Sequence, residues 1–226
     1  MKIGILQTGH APQDLLGEFG DYDLMFRNML GGHGFTFDTY AVVDGEFPSG
    51  PEAADGWLIT GSRHGAYEDH DWIPPLEQLI RDIHAQKRPL IGICFGHQII
   101  AQALGGKVEK FAGGWAVGRT EYDMDGTPLV LNAWHQDQVT RLPEGARVLA
   151  GNEFCENAVV AYDDTILTVQ PHPEYGAEFI SGLIRTRGRG VVPEDQLREA
   201  EATLRGPVAN ADFADRMADF FTKERA

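Results

Sequence analysis

The chain has 226 residues, of which 42% are hydrophobic and 23% are charged, with a formal net charge of −15. This composition is typical of one globular domain, and the acidic balance argues against nucleic acid and anionic membrane as partners. Two cysteines cannot form a disulfide framework, which indicates a reducing compartment. Because we find neither a signal segment nor a stretch long enough to span a membrane, we expect a cytoplasmic protein.

The first hundred residues alternate between short apolar strands and helices. This alternation predicts a parallel sheet with helices on both faces. The predicted strands are 3–7, 36–43, 56–60 and 90–93, and the predicted helices are 22–30, 73–86 and 98–104. In such sheets the active site lies beyond the carboxyl ends of the strands, which is where Gly61 and Cys94 fall.

After residue 107 the pattern changes to short strands without intervening helices, and the chain then ends in helices. We expect an antiparallel region attached to the edge of the parallel sheet, followed by a helical tail. The predicted strands are 117–124, 128–134, 148–151, 157–162 and 166–169, and the predicted helices are 176–187, 193–204 and 210–223. The dipeptides at 125–126 (Asp-Gly) and 163–164 (Asp-Asp) are typical of hairpin turns.

Cys94 lies at the centre of the segment 92–98 (Gly-Ile-Cys-Phe-Gly-His-Gln), directly after an apolar strand. Glycine two residues to either side permits a sharp strand–turn–helix reversal that holds a nucleophile on a strained turn. The helix N-terminus that follows favours the thiolate, which is the nucleophilic form of cysteine. The alternative is an ordinary buried cysteine beside a tight strand–helix connection.

His172 lies between two prolines in the segment 170–174 (Gln-Pro-His-Pro-Glu). Proline favours extended backbone in the residue before it, and residues two apart in an extended segment point the same way. Glu174 can therefore lie beside the His172 ring, orient it and stabilise its protonated form. Cys94, His172 and Glu174 together have the residue types of a nucleophile–base–orienter triad, whereas His172 alone would be read as a surface turn histidine.

With these two segments the chain resembles the class I (triad) glutamine amidotransferases, over about residues 1–185. The resemblance implies a flavodoxin-like α/β fold in a domain 1–185. Residues 186–226 lie outside it, and their apolar positions at helical spacing predict a helical extension packed on the same domain. It also implies hydrolysis of a γ-glutamyl amide through a thioester on Cys94, with His172 as acid and base.

The resemblance further assigns contacts to the substrate. Gly61 and Phe95 would supply the N–H groups of an oxyanion hole, and Gln98 would contact the substrate. The segment 114–118 (Gly-Trp-Ala-Val-Gly) matches the family's backbone grip on the glutamyl group, which here involves Trp115, Ala116 and Val117. Trp115 could equally pack in the core.

The loop after the third strand departs from the Gly-Gly-Pro sequence common in the family, and reads Thr-Gly-Ser-Arg-His-Gly at 60–65. Such a loop, followed by an acidic stretch, looks more like the stand-alone branch that includes γ-glutamyl peptidases. We therefore expect outright hydrolysis of a small γ-glutamyl amide, either glutamine or a γ-glutamyl amine or peptide. One alternative is a glutaminase subunit that delivers ammonia to a separate synthetase chain. The other is a non-catalytic binding or sensing protein with this fold.

We expect no cofactor, since the chain has neither a phosphate-binding loop nor a dinucleotide fingerprint. The residues at 64–71 include two histidines and several acidic residues, which resemble a metal cluster by composition. Their spacing is not one of the common zinc patterns, so the sequence predicts a solvated loop rim and no metal site.

Overall fold

The structure, a computed structural model, describes residues 1–225. The strands in this range are β1 (Lys2–Leu6), β2 (Thr36–Tyr40), β3 (Gly56–Ile59), β4 (Leu90–Ile93), β5 (Lys107–Lys110), β6 (Ala116–Met124), β7 (Thr127–His135), β8 (Asp137–Arg141), β9 (Ala146–Ala150), β10 (Val159–Tyr162) and β11 (Ile166–Val169). The α-helices are α1 (Gln13–Phe19), α2 (Tyr22–Leu30), α3 (Ile73–Ala85), α4 (Phe95–Ala103), α5 (Ala177–Leu183), α6 (Glu194–Thr203) and α7 (Asn210–Thr222).

The central sheet has the strand order β2-β1-β3-β4-β11-β10-β9. Its first five strands run parallel, and β10 and β9 extend it as antiparallel strands. Every residue of β3, β4, β10 and β11 is buried. Continuous apolar strands of this kind are expected where both faces of a sheet are covered, so the sequence patterns and the architecture agree.

Strand β11 differs from its predicted place in the antiparallel region. It pairs in parallel with β4, with Thr168 opposite Gly92 and Val169 opposite Ile93, and only its other edge pairs antiparallel with β10. The remaining strands form two separate antiparallel pairs, β5 with β8 and β6 with β7. At the β6–β7 hairpin, Asp125 and Gly126 both have positive φ, as the Asp-Gly turn predicted.

Three elements were not predicted. Helix α1 is only seven residues long and buries one side chain, Leu15, so it carries little helical periodicity. Strands β5 and β8 are short and largely polar, with the sequences KVEK and DQVTR. Helix α4 also begins three residues before its predicted start, because Phe95 follows the turn at Cys94 immediately.

The hydrophobic core lies on both faces of the sheet. On one face α3 and α4 pack over the strands, around Leu76, Ile80 and Ile100. Side chains alternate along a strand, so in β4 Leu90 faces this side while Ile91 faces the other.

The opposite face is covered by α2 and α7. Phe26 of α2 and Phe213 and Met217 of α7 belong to one buried cluster with Ile3 and Ile5 of β1. Of the helices after residue 185, α7 thus shares a core cluster with the sheet, and α6 packs in a separate cluster with α5. The domain boundary expected at residue 185 stays a prediction. Within residues 1–225, none of the helices has the length and hydropathy that crossing a membrane would require.

Candidate active site

Cys94 lies at the sharp turn between β4 and α4. Its φ is 51°, an uncommon value for a residue with a side chain, and its backbone N–H donates to the Val169 carbonyl at 2.8 Å. A methyl group on Gly92 would lie 2.6 Å from the backbone of Gly96, and one on Gly96 would overlap the carbonyl oxygen of Ile59. Both glycines are therefore required by close backbone approach, as the sequence predicted for the turn.

His172 is held by the strand beside it. Its N–H donates to the Asn132 carbonyl at 2.8 Å, and the Asn132 side-chain amide donates to the Tyr175 carbonyl at 2.8 Å. The Tyr175 ring stacks on the imidazole with centroids 4.0 Å apart and planes 6° apart. These contacts fix the ring in one orientation.

Glu174 completes the arrangement. Its Oε1 accepts a hydrogen bond from Nδ1 of His172 at 2.7 Å, and its side chain is only 1% exposed. The second oxygen, Oε2, is buried without a hydrogen-bond partner within the described residues. The carboxylate is thus aimed at the imidazole, as the His-Pro-Glu spacing predicted.

Gly61 lies where the loop after β3 meets the turn that carries Cys94 and the segment that carries His172. A methyl group there would lie 2.9 Å from Cε1 of His172 and 3.7 Å from Cβ of Cys94. The carbonyl of Thr60, in the same peptide as the Gly61 N–H, accepts from the Gly96 N–H at 3.2 Å and from the Thr8 hydroxyl at 3.0 Å. Because a trans peptide is planar, these bonds direct the Gly61 N–H away from Gly96 and Thr8.

The electrostatics of the site favour a protonated His172. Burial by itself lowers the pKa of this imidazole, but the negative charges of Glu174 and Cys94, together with the hydrogen bond to Glu174, raise it to about 10. Two neighbouring imidazoles behave in the opposite way. Burial, with the His172 charge, lowers the pKa of His135 to about 3, and burial, with His135, does the same to the pKa of His97.

His97, considered because it lies close to Cys94 in sequence, points elsewhere. Its Nδ1 bonds the Thr168 hydroxyl at 2.7 Å, and it is not among the described residues that line the cavity over Cys94. Because its ring is neutral and hydrogen-bonded to Thr168, His97 has the environment of a buried structural side chain.

A cavity of about 580 Å³ opens over Cys94 and His172. Two tryptophans, Trp115 and Trp134, form part of its wall with ring centroids 6.3 Å apart. Although the chain is acidic, four cationic side chains line this cavity: Arg63, Lys110, Arg187 and Arg189. These residues could not be placed at the site from the sequence, because they come from separate loops and from the ends of different strands and helices.

Of the residues predicted to contact the substrate, Gln98 and Trp115 line the cavity, and both also bond other parts of the protein. Gln98 lines the cavity, but its amide nitrogen already donates to the Asp137 carbonyl at 2.9 Å and to Gln170 at 3.2 Å. Trp115 also lines it, and its carbonyl accepts a hydrogen bond from Gln196 of α6 at 3.2 Å.

The two residues after Trp115 belong to a strand. Ala116 pairs with His135 and Val117 with Trp134 in the β6–β7 ladder. Val117 also packs against the cluster formed by α5 and α6. Trp115 and Val117 therefore both make packing contacts. For Trp115, packing was the alternative to a substrate contact that the sequence left open.

One group of side chains at the cavity mouth has metal-ligand chemistry. One ligand atom from each of His64, Glu68 and His70 lies within 4.8 Å of the others. His64 and Glu68 also line the cavity over Cys94.

Comparison with known proteins gives a consistent result. The family model for glutamine amidotransferase class-I matches residues 51–179. Gamma-glutamyl peptidase 4 of Arabidopsis thaliana is 33% identical over 92% of this chain and 89% of its own length. One subunit of the glutamine-hydrolysing GMP synthase of Methanopyrus kandleri is 32% identical over 61% of this chain and 78% of its own length.

A crystal structure of a glutamine amido transferase from Methylobacillus flagellatus superimposes with a TM-score of 0.77. It covers 98% of this chain and 91% of that chain at 23% identity. This likeness confirms the predicted fold class.

Proposed function

The chain belongs to the class-I glutamine amidotransferase family, and from this premise we propose that it hydrolyses a γ-glutamyl amide with Cys94 as nucleophile. The observation that carries the proposal is the convergence of Cys94, His172 and Glu174, with the His172–Glu174 bond at 2.7 Å. Cysteine, imidazole and carboxylate in this order form the constellation that amide hydrolysis by covalent catalysis requires.

In the proposed reaction the Cys94 thiolate attacks the side-chain carbonyl carbon of the γ-glutamyl group. The protonated His172 and the N-terminus of α4 favour the thiolate. The carbonyl oxygen becomes an oxyanion, which the N–H groups of Gly61 and Phe95 stabilise. Donors of this kind are worth about 10²–10³ in rate.

Collapse of the tetrahedral intermediate breaks the carbon–nitrogen bond, and His172 gives its proton to the leaving amine. The product on the enzyme is a γ-glutamyl thioester of Cys94. Water, deprotonated by His172, then attacks the thioester and releases glutamate and the thiolate. Glu174 acts through His172, because it holds the ring orientation and stabilises its positive charge.

The substrate we favour is a γ-glutamyl peptide or amine. Similarity to a protein named a gamma-glutamyl peptidase extends over 92% of this chain. The cavity of about 580 Å³ lies within the range of pockets that enclose ligands larger than an amino acid. Gln98, Trp115, Ala116 and Val117 are proposed as its contacts with the glutamyl group, as the family resemblance implies.

A second candidate function is supported by the similarity to the GMP synthase protein of Methanopyrus kandleri. In that case the chain would be the glutaminase subunit of a larger enzyme, delivering ammonia to a separate synthetase. The similarity covers 61% of this chain, so it supports this alternative less than the peptidase similarity supports the first.

Release of glutamate by purified protein tests the proposal. Glutamine, glutathione and a panel of γ-glutamyl amines are offered to the wild type, to Cys94→Ala and to Cys155→Ala. Cys155 is the matched control, since it is the only other cysteine and burial raises the pKa of its thiol to about 12.

We expect turnover of a γ-glutamyl peptide or amine well above that of glutamine, lost in Cys94→Ala and kept in Cys155→Ala. Slow, Cys94-dependent turnover of glutamine alone would favour the glutaminase alternative. Turnover that persists in Cys94→Ala would overturn the nucleophile assignment. Absence of turnover would leave a partner-dependent enzyme and the non-catalytic binding protein, and failure of Cys94 to react with a glutamine-analogue electrophile would favour the binding protein.

A further inference from the structure

The loop between β3 and α3 brings three side chains with metal-binding atoms to the mouth of the cavity. Oε2 of Glu68 lies 3.5 Å from Nδ1 of His64 and 2.8 Å from Nε2 of His70. The three side chains are between 20% and 45% exposed, so an ion can reach them from solvent. None of them belongs to the proposed triad.

These two separations are close to those that a tetrahedral zinc site needs, and the ligand atoms of His64 and His70 lie within 4.8 Å of each other. Zn²⁺ binds imidazole nitrogen and carboxylate oxygen at about 2.0–2.2 Å, which places two ligand atoms of a tetrahedron about 3.4 Å apart. The His64–Glu68 pair already has this spacing, and the Glu68–His70 pair must open by about 0.6 Å. Two imidazoles and one carboxylate also form a ligand set typical of zinc, with a fourth position left for water.

The backbone of the loop holds the ligands in place before any ion binds. The N–H of His64 donates to the Ser62 hydroxyl at 3.1 Å, and the N–H of Glu68 donates to the Gly65 carbonyl at 3.1 Å. The N–H of His70 donates to the Glu68 carbonyl at 3.1 Å. A preorganised loop loses less conformational entropy when it binds an ion.

The rings are held as well. His70 stacks on Trp72 with centroids 5.8 Å apart and planes 12° apart, and His64 meets the same indole edge-on at 5.9 Å. Trp72 in turn packs on Phe95, the residue after Cys94, with ring centroids 5.4 Å apart. The group is therefore supported by a buried aromatic side chain that reaches the active-site turn.

Charges of both signs lie around the group. Asp44 and Asp71 line the same depression as His64 and His70, whereas Arg63 opposes a positive ion. Imidazole binds a metal through a ring nitrogen that carries no proton.

We propose that His64, Glu68 and His70 form a Zn²⁺ site at the mouth of the cavity. A solvated rim was predicted from the sequence, because the spacing H-x₃-E-x-H is not a common zinc pattern. The turn at 65–68 makes this spacing suitable, since it returns Glu68 between the two imidazoles. On binding, the Glu68–His70 hydrogen bond is replaced by bonds from both side chains to the ion, and the ring proton moves to the other nitrogen of His70. The bound ion fixes the loop over Cys94.

Calorimetric titration with Zn²⁺, on the full chain carrying Cys94→Ala, tests this proposal. The Cys94→Ala background removes the thiolate, which would otherwise bind the metal itself. We expect one equivalent to bind. Loss of even an outer-shell partner costs about 10–100-fold in metal affinity, so removing a ligand by His70→Ala or Glu68→Gln should weaken binding at least as much.

The matched control is His84→Ala, which removes a similarly exposed histidine that pairs with Asp163. It should bind Zn²⁺ as the parent does. Titration with Co²⁺ gives a second readout, since tetrahedral Co²⁺ has a visible absorption that the two ligand variants should lose. Circular dichroism verifies that each variant is folded, and the isosteric Glu68→Gln keeps the test open if His70→Ala does not fold. Absence of binding in the parent, or unchanged binding in folded Glu68→Gln, would overturn the proposal.

Discussion

Replacing Glu174 by glutamine removes one buried charge and leaves the shape of the site unchanged. The amide oxygen can accept the same hydrogen bond from Nδ1 of His172, and the amide nitrogen takes the place of Oε2, which has no partner among the described residues. The substitution therefore tests the charge of Glu174 and not its packing.

The size of the expected effect follows from the burial of the His172–Glu174 pair. Two charges about 4 Å apart interact by about 4 kcal/mol at the effective dielectric constant of a protein site, which corresponds to about three powers of ten in a protonation equilibrium. The pKa of His172 should therefore fall from about 10 toward its ordinary value of 6.5. The imidazolium fraction at pH 7 then falls about fourfold. The larger loss comes from the reaction itself, because the Glu174 charge no longer stabilises the imidazolium that forms when His172 takes a proton from water, so kcat should fall by about 10²–10³ in total.

The same change alters how stability depends on pH. Because folding raises the pKa of His172, its contribution to stability is complete below pH 6.5 and is lost as the pH rises through about 10. The free energy of unfolding of the wild type should therefore decrease across that window, and in Glu174→Gln the decrease should be smaller.

Glutamate release at pH 7 gives the activity, and an NMR titration of the His172 ring gives its pKa directly. Glu178→Gln is the matched control, since it makes the same change at an exposed site four residues away and should alter neither quantity. If folded Glu174→Gln keeps activity within about threefold of wild type and the His172 titration does not move, the electrostatic role of Glu174 is refuted.

Three further variants test the turn, the terminal helix and the cavity mouth. Gly96→Ala should lower the free energy of unfolding, measured by chemical denaturation, by about 3 kcal/mol, because the added methyl group overlaps a backbone carbonyl of β3. The control Gly31→Ala should be nearly neutral in the same assay, because Gly31 has open space around it. Met217→Ala should cost about 2–5 kcal/mol in the same assay, because the side chain is fully buried in the core cluster that α7 shares with the sheet. Arg189→Ala should raise KM for glutathione about two- to fivefold more than for an uncharged γ-glutamyl amine, whereas Arg185→Ala, outside the cavity, should not.

Each of these expectations has an outcome that contradicts it. A Gly96→Ala protein as stable as wild type would mean that the turn has room to relax. For the terminal helix, equal effects of Met217→Ala and of the exposed Arg216→Ala would show that α7 contributes no stability to the sheet. At the cavity mouth, identical KM changes for charged and uncharged substrates in Arg189→Ala would rule out recognition of a carboxylate by this side chain.

The features that could be predicted from the sequence are those whose constraints lie within a few residues. The glycines two residues from Cys94 report a close backbone approach on the same turn, and the His-Pro-Glu spacing places the carboxylate beside the imidazole. The parallel strands were predicted because burial on both faces leaves a continuous apolar run.

The remaining features depend on distant parts of the chain. The backbone N–H of His172 donates to the carbonyl of Asn132, which lies on a strand that no sequence pattern connects with His172. Arg187 reaches the cavity from a π-helical turn, where it donates to the hydroxyl of Tyr22. Such contacts leave no local pattern, and the polar, exposed strands β5 and β8 were missed because their burial gives no clear alternation.

The pairing of β4 with β11 has a consequence for how this protein would lose activity. Cys94 and His172 each follow one of two adjacent parallel strands, and the Cys94 N–H is bonded to the last residue of the other strand. The two reacting groups are thus aligned by the register at the centre of the sheet, in the part of a protein that usually opens only on global unfolding. A destabilising substitution far from the site should therefore reduce the fraction of active molecules and leave the turnover of each folded molecule unchanged.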